Sequence, residues 1–203
     1  MDLRRELRLA LELADAADAV SLPRFRATDL RVETKPDMTP VSEADRDAER
    51  AIREILERTR PTHGIKGEEF GEKEGDGRRW ILDPIDGTVN YVRGIPVWAS
   101  LIALEAEGEI VAGVVSAPAI GHRWWAARGL GAWRNADRIH TSRVSDLAHA
   151  QLSYNSWVSA EGCGMGDQMR ELERRCWRTR GFGDFWSHML VAEGAVDVSV
   201  EPI

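Results

Sequence analysis

The stretch Trp80–Gly94, WILDPIDGTVNYVRG, sets two carboxylates, Asp83 and Asp86, three residues apart around a proline and follows them with Gly87 and Thr88. By itself Asp-Pro is a turn signal, because proline's fixed φ suits the second position of a β-turn and aspartate the first. The surroundings add chemistry to it. Gly-Thr at the start of a helix can offer backbone N–H groups and a hydroxyl to a phosphate oxygen. Glu68 and Glu69, in GEEF, lie about fifteen residues upstream on a loop able to bring one carboxylate back. In KPDMTPVSEAD, Ser42-x-x-Asp45 reads as a capping box with Asp45 at the third helical position, a role that leaves room for a second one. Carboxylates gathered from a strand end and its loops are hard oxygen ligands of the kind Mg2+ takes, together with water and substrate phosphate. Without a cation they would repel one another and raise each other's pKa.

Other chemistries have less support. The five histidines (His63, His122, His140, His149, His188) never fall at the close spacing of a zinc site on one helix, and read as surface or packed residues. Neither GxxxxGK[ST] nor GxGxxG occurs, so nucleotide binding has no local signature.

The elements that must position these residues follow from periodicity. Leu3, Leu7, Ala10, Ala14 and Ala17 recur at intervals of three and four, predicting an amphipathic helix over the first twenty residues, limited by Pro23. LRVETK alternates like a strand and PDMTP is a turn. A second helix opens at Ser42, with Ala48, Ile52 and Ile55 on one face, and ends at Pro61. The polar connector GEEFGEKEGDGRR leads into a strand WIL. Val97–Leu104, Ile110–Ala117 and His122–Ala127 predict three successive strands with turn-rich separators. Beyond about residue 140 the pattern alternates: strand (Gln151–Ser156), helix (around Gln168–Cys176), strand, helix (Phe185–Glu193), and a last strand with Val196, Val198 and Val200 on one side. The expectation is therefore an N-terminal α+β subdomain over 1–140 that binds metal and phosphate, and a partial α/β subdomain over 141–203. The sequence stops at SVEPI, directly after a strand that α/β units normally follow with a helix, so the chain is expected to be cut short.

Length and composition narrow the classes. A chain of 203 residues, 43% hydrophobic, can build a real core in one large or two small domains. A net charge of −7 without a Lys/Arg stripe argues against nucleic acid as partner. No apolar run approaches the ~20 residues of a membrane span, and the amphipathic N-terminus lacks a signal peptide's apolar segment. Two cysteines, Cys163 and Cys176, fit a reduced, cytoplasmic protein better than a disulfide scaffold.

KPDMTPVSEAD, GEEF, WILDPIDGTVNYVRG and GVVSAPA together resemble the inositol monophosphatase family of metal-dependent, lithium-sensitive phosphomonoesterases, from the first helix to the last residue. The segments HRWWAARGLGA and GDFWSHMLVAEGAVDV are most similar to its histidinol-phosphate phosphatases. The resemblance implies a layered α-β-α-β-α sandwich of the inositol monophosphatase and sugar phosphatase type, with the last strands and helix missing. It also implies two or three Mg2+ ions, inhibition by lithium, a small phosphate monoester as substrate and, as in relatives, a homodimer. By motif, Glu68, Asp83 and the carbonyl of Ile85 would hold the first Mg2+, and Asp83 would bridge to a second one held by Asp86. Gly87 and Thr88 would receive the phosphate; Thr88 with Asp45 would orient the attacking water; Lys35 occupies the matching basic position. Glu68, rather than Glu69, matches the family ligand. The implied reaction is direct in-line attack by a metal-activated water, without a phosphoenzyme.

The family carries a further ligand aspartate in a WD motif that lies beyond Ile203. The expectation is weaker metal binding and poor activity of this chain in isolation. Asp184, where inositol-cleaving relatives carry a small residue, and Glu201, at a family substrate-contact position, favour a cationic leaving group such as that of L-histidinol phosphate over a neutral polyol. Asp184 could equally be a helix cap. Inositol 1-phosphate is the alternative substrate, and a non-catalytic phosphate-binding protein the alternative class. A haloacid-dehalogenase-type phosphatase needs DxDGT; DPIDGT has one residue too many and no downstream DD pair exists.

Overall fold

The computed structural model describes residues 1–36 and 38–201; Asp37 of the expected PDMTP turn and the closing Pro202 and Ile203 lie outside the described residues. The chain divides into two compact units, Met1–Asp137 and Arg138–Ile203.

In the first unit, helix α1 (Leu3–Arg24) starts at Asp2, whose carboxylate accepts the N–H groups of Arg4 and Arg5. Its buried residues Leu7, Ala10, Leu13, Ala14 and Ala17 form the stripe that the three-and-four spacing predicts. The helix does not stop before Pro23 but runs to Arg24. Proline's φ is helical, and the Phe25 N–H still closes onto the carbonyls of Ser21 and Leu22. Strands β1 (Val32–Thr34) and β2 (Pro40–Ser42) form a short antiparallel pair, so only the middle of LRVETK is strand. Helix α2 (Glu43–Thr59) follows β2 directly and buries Ala44, Asp45, Ala48, Glu49, Ile52 and Leu56. Two acids therefore lie inside its apolar stripe.

The main sheet contains β3 (Gly64–Gly67), β4 (Glu72–Lys73), β5 (Arg78–Asp86), β6 (Ala99–Ala106), β7 (Glu109–Ala117), β8 (His122–Ala127) and β9 (Gly131–Arg134), in the order β9-β8-β7-β6-β5-β3-β4. Strands β5 to β9 pair antiparallel as consecutive neighbours, whereas β3 lies parallel to β5. Trp80, Leu82, Ile102, Leu104, Ala112 and Val114 pack with the apolar stripes of α1 and α2 into one core. The strand expected as WIL is longer than its apolar run: β5 extends through Asp83 to Asp86. Helix α3 (Thr88–Val92) follows it immediately. A further short strand, β10 (Asp137–Ile139), straddles the boundary between the units.

In the second unit, β11 (Gln151–Tyr154) lies between β12 (Arg178–Arg180) and β13 (Val198–Val200), and both pairings are parallel. Helices α4 (Trp157–Gly162), α5 (Gly166–Arg175) and α6 (Asp184–Ala192) connect them, with α4 absent from the sequence expectation. Leu152, Ala160 and Met169 form its core, packed by Val198 and Val200. Val196 is buried but precedes the strand. Among the described residues no helix is long and apolar enough to cross a membrane.

Candidate active site

The aspartates of DPID owe their common side to a bulge. Asp83 pairs with Leu101 and Asp86 with Ala99, so three steps along β5 oppose two along β6. Residues three apart on an unbroken strand face opposite sides of the sheet. One extra residue turns the second back to the side of the first. Pro84, which has no N–H to give a ladder, sits inside this irregularity, and its carbonyl accepts the Ser100 hydroxyl at 2.7 Å. Burial, then the charges of Asp86 and Glu68, push the Asp83 carboxyl up to about 9. The two aspartates and the first glutamate of GEEF therefore sense one another, as clustered carboxylates without a cation must.

Gly87 leaves β5 in the left-handed region, at φ 83°, and Thr88 begins α3. The Thr88 hydroxyl lies 3.0 Å from the carbonyl of Ile85 and 3.2 Å from Asp45 Oδ1. Asp45 reaches this point from the first turn of α2. Its other oxygen, Oδ2, accepts both the Ser42 N–H at 2.8 Å and the Ser42 hydroxyl at 2.6 Å. The carboxylate is thus fixed by one oxygen as the third-position partner of the Ser42 cap and presents the other to Thr88. Burial raises the Asp45 pKa against the opposing effect of the Ser42 bonds.

Lys35 bridges the glutamates, with Nζ 2.6 Å from Glu68 Oε1 and 2.7 Å from Glu69 Oε1. Burial works against its charge, but these two bonds outweigh it and its pKa is raised. The loop that carries the glutamates is held from α2: Glu49 Oε2 accepts the Glu69 N–H at 2.7 Å and Oε1 the Phe70 N–H at 3.2 Å.

Among the described residues, no three His, Cys, Asp or Glu side chains converge as a ready-made metal centre. Lys35 stands where Glu68 and Glu69 need positive charge. The donor chemistry nevertheless suits a hard cation. Asp83 Oδ1 is buried without any hydrogen-bond partner, an unsatisfied carboxyl oxygen in a group that the Asp86 and Glu68 charges also reach.

In the second unit, Asp184 and Glu201 are neighbours: burial, then the Glu201 charge, raises the Asp184 pKa. Asp184 is not the helix cap. Gly183 takes that position, and Asp184 is the first helical residue, at φ 45°. Glu201 is anchored by both oxygens. Asn155 Nδ2 donates to Oε1 and His188 Nε2 to Oε2, each at 2.7 Å. Sequence reasoning missed Glu49, Asn155 and His188. For Glu49 the signal was present, since an acid four residues after Asp45 falls in the apolar stripe of its own helix. Asn155 and His188 lie 46 and 13 residues from Glu201, and only the parallel sheet brings them to it.

The model of the inositol monophosphatase family matches residues 2–202. A histidinol-phosphatase of Streptomyces coelicolor is 54% identical over 99% of this chain and 79% of its own length, and one of Mycobacterium tuberculosis is 52% identical over 97% and 78%. An inositol monophosphatase structure from Zymomonas mobilis superposes with a TM-score of 0.85 at 36% identity, covering 98% of this chain and 77% of that one. The chain has the layered α+β fold of these phosphatases and belongs to the inositol monophosphatase family.

Proposed function

We propose that this chain is a Mg2+-dependent phosphomonoester hydrolase acting on L-histidinol phosphate, with water giving L-histidinol and inorganic phosphate. The observation that carries the hydrolase reading is the buried, unpartnered Asp83 Oδ1 in a group of acids, beside the Asp45–Thr88 pair. Glu68, Asp83, the Ile85 carbonyl and Asp86 are the residues that would hold the ions, with Glu68 giving up Lys35. Bound there, Mg2+ lowers the pKa of water and neutralises phosphoryl and leaving-group oxygens.

The remaining work falls to this chain's own groups. With its hydroxyl hydrogen on Asp45 Oδ1, Thr88 Oγ1 keeps lone pairs that accept a hydrogen bond from the attacking water. That orients the water oxygen toward phosphorus. Asp45, held by Ser42, fixes the direction of the Thr88 hydroxyl. The backbone of Gly87 and Thr88 receives the phosphate. The phosphorus–oxygen bond of the ester breaks as the bond to water forms, a proton from that water ends on the departing oxygen to give the alcohol, and no side chain becomes phosphorylated.

Two adjacent carboxylates, Asp184 and Glu201, support a cationic rather than a neutral leaving group, and the 54% identity to a histidinol-phosphatase points the same way. The test is a substrate panel with Mg2+ titrated and lithium added as inhibitor. L-histidinol phosphate is expected to be turned over well ahead of inositol 1-phosphate, with lithium lowering both rates. Asp184→Asn should narrow the difference. Equal or better turnover of inositol 1-phosphate would overturn the substrate assignment, and phosphate-ester binding without turnover, even with the family's WD segment appended, would make the protein a non-catalytic binder.

A further inference from the structure

We propose that Glu49 is a positioning residue for the divalent-cation site: its buried carboxylate fixes the peptide linking Glu68 to Glu69 and so sets where the Glu68 carboxylate points. The inference rests on the reading of Glu68 as a metal ligand.

Glu49 is fully buried in the face of α2. Both of its oxygens are spent on the loop: Oε2 on the Glu69 N–H, Oε1 on the Phe70 N–H and on Arg53 Nε at 2.7 Å. Arg53 continues the strap by donating to the carbonyl of Gly71, and the guanidinium groups of Arg50 and Arg53 lie 5.5 and 6.0 Å from the centre of the Phe70 ring. The loop neck is closed by the Gly67 N–H on the Gly71 carbonyl at 3.0 Å. A Cβ at residue 67 would overlap the Glu49 carboxylate, so glycine there leaves that carboxylate its place. The backbone therefore crosses directly over the carboxylate, and one buried charge holds two consecutive amides.

The position of those amides separates this role from general stapling. The Glu69 N–H belongs to the same planar peptide as the Glu68 carbonyl, so fixing it fixes one of the two backbone bonds from which the Glu68 side chain departs. Lys35 binds the ends of the Glu68 and Glu69 side chains instead, one oxygen of each, a contact open to exchange when a divalent cation arrives. The Glu49 bonds need not change when that happens. A ligand held on its backbone side keeps its direction through the exchange of counter-ions, which is what partners behind a metal ligand supply.

The test uses Glu49→Gln, which keeps the shape but replaces one accepting oxygen by an amide nitrogen, and Gly67→Ala, which displaces the carboxylate without removing it. Mg2+ affinity is measured by calorimetry and backbone exchange by amide hydrogen exchange, with the β6 amides as internal reference. Both variants are expected to bind Mg2+ about 10- to 100-fold more weakly. The Glu69 and Phe70 amides should exchange faster while those of β6 stay protected. Glu54→Gln, the same charge change on the exposed face of α2, should leave affinity unaltered. Faster loop exchange with unaltered affinity would overturn the inference, and so would loss of protection spread evenly through β6. Failure of the unsubstituted protein to bind Mg2+ would overturn the metal-site reading itself, an outcome distinct from tight binding by Glu49→Gln.

Discussion

Replacing Asp83 by asparagine should make the metal-free protein more stable while abolishing its response to Mg2+. The Asp83 carboxyl is raised from an ordinary 3.8 to about 9 by burial and by Asp86 and Glu68. Between these two values the folded protein keeps a proton that the unfolded chain has released. The native state then binds more protons, and stability falls as pH rises through that window. Each pKa unit is worth about 1.4 kcal/mol, so the roughly three units from the ordinary value to pH 7 correspond to about 4 kcal/mol. Sharing of the proton with Glu68 spreads part of this over two groups, and about 2–4 kcal/mol is the expected effect.

Asparagine reproduces the protonated acid, since its amide can donate to Glu68 as the carboxyl does, and it does not titrate. In EDTA at pH 7, Asp83→Asn should raise the urea midpoint by about 1–2 M for a denaturant slope of about 2 kcal/mol per M. It should also remove most of the decline in midpoint between pH 5 and pH 8. Mg2+ at a hundred times its Kd stabilises a protein that binds it only when folded by about 2.7 kcal/mol. The unsubstituted chain should gain this and the variant should not. An asparagine variant no more stable than the parent at pH 7, or one stabilised equally by Mg2+, would refute the claim that these acids converge on a cation site.

Thr88→Val keeps the shape of the side chain and removes the hydroxyl that faces Asp45 and Ile85. Turnover should fall about 100-fold or more with Mg2+ affinity nearly unchanged, as steady-state rates and calorimetry on one preparation will show. His63 is buried, and its Nδ1 accepts the Trp80 indole N–H at 3.1 Å, so the neutral ring is the one that fits. Burial, reinforced by the Arg78 charge, lowers its pKa below the ordinary 6.5. Its stabilising effect is complete above 6.5 and lost as pH falls toward the lowered folded value. The slope is best measured in the Asp83→Asn background, where the opposing trend is gone; there, urea midpoints should drop from pH 6.5 to pH 5, and His63→Phe should flatten that drop.

Much of this fold was legible because its signals are local. The alanine-rich stripe of α1, the alternation of β7 and β8 and the acid three residues after Ser42 each declare their element within a single window. The shape of DPID does not. Asp-Pro is locally a turn signal, yet Asp83 and Asp86 belong to one strand, because β6 supplies the partners Leu101 and Ala99 and the extra residue is absorbed as a bulge. Strand β3 was equally hidden: GIKG carries one apolar residue, and its pairing with β5 is fixed by parallel neighbours that no short window contains. The anchoring of Glu201 follows the same rule, since Asn155 directly follows β11 and His188 lies on α6.

Why the chain places acids where folding alone disfavours them follows from the devices that hold them. Asp45, Glu68, Glu69, Asp83 and Asp86 gather near Lys35 and the Arg46 charge, and burial together with this mutual repulsion raises the pKa of Asp83. Left to themselves, such side chains would swing into water. Each is instead tied down through something other than its charge: Asp83 and Asp86 by a bulged strand inside the sheet, Asp45 by the Ser42 cap, and the glutamates by a backbone strapped to Glu49. On the proposed reading, the scaffold bears a repulsion that a bound cation would relieve. Loosening any one of these ties should therefore lower metal affinity even where every ligand oxygen is still present.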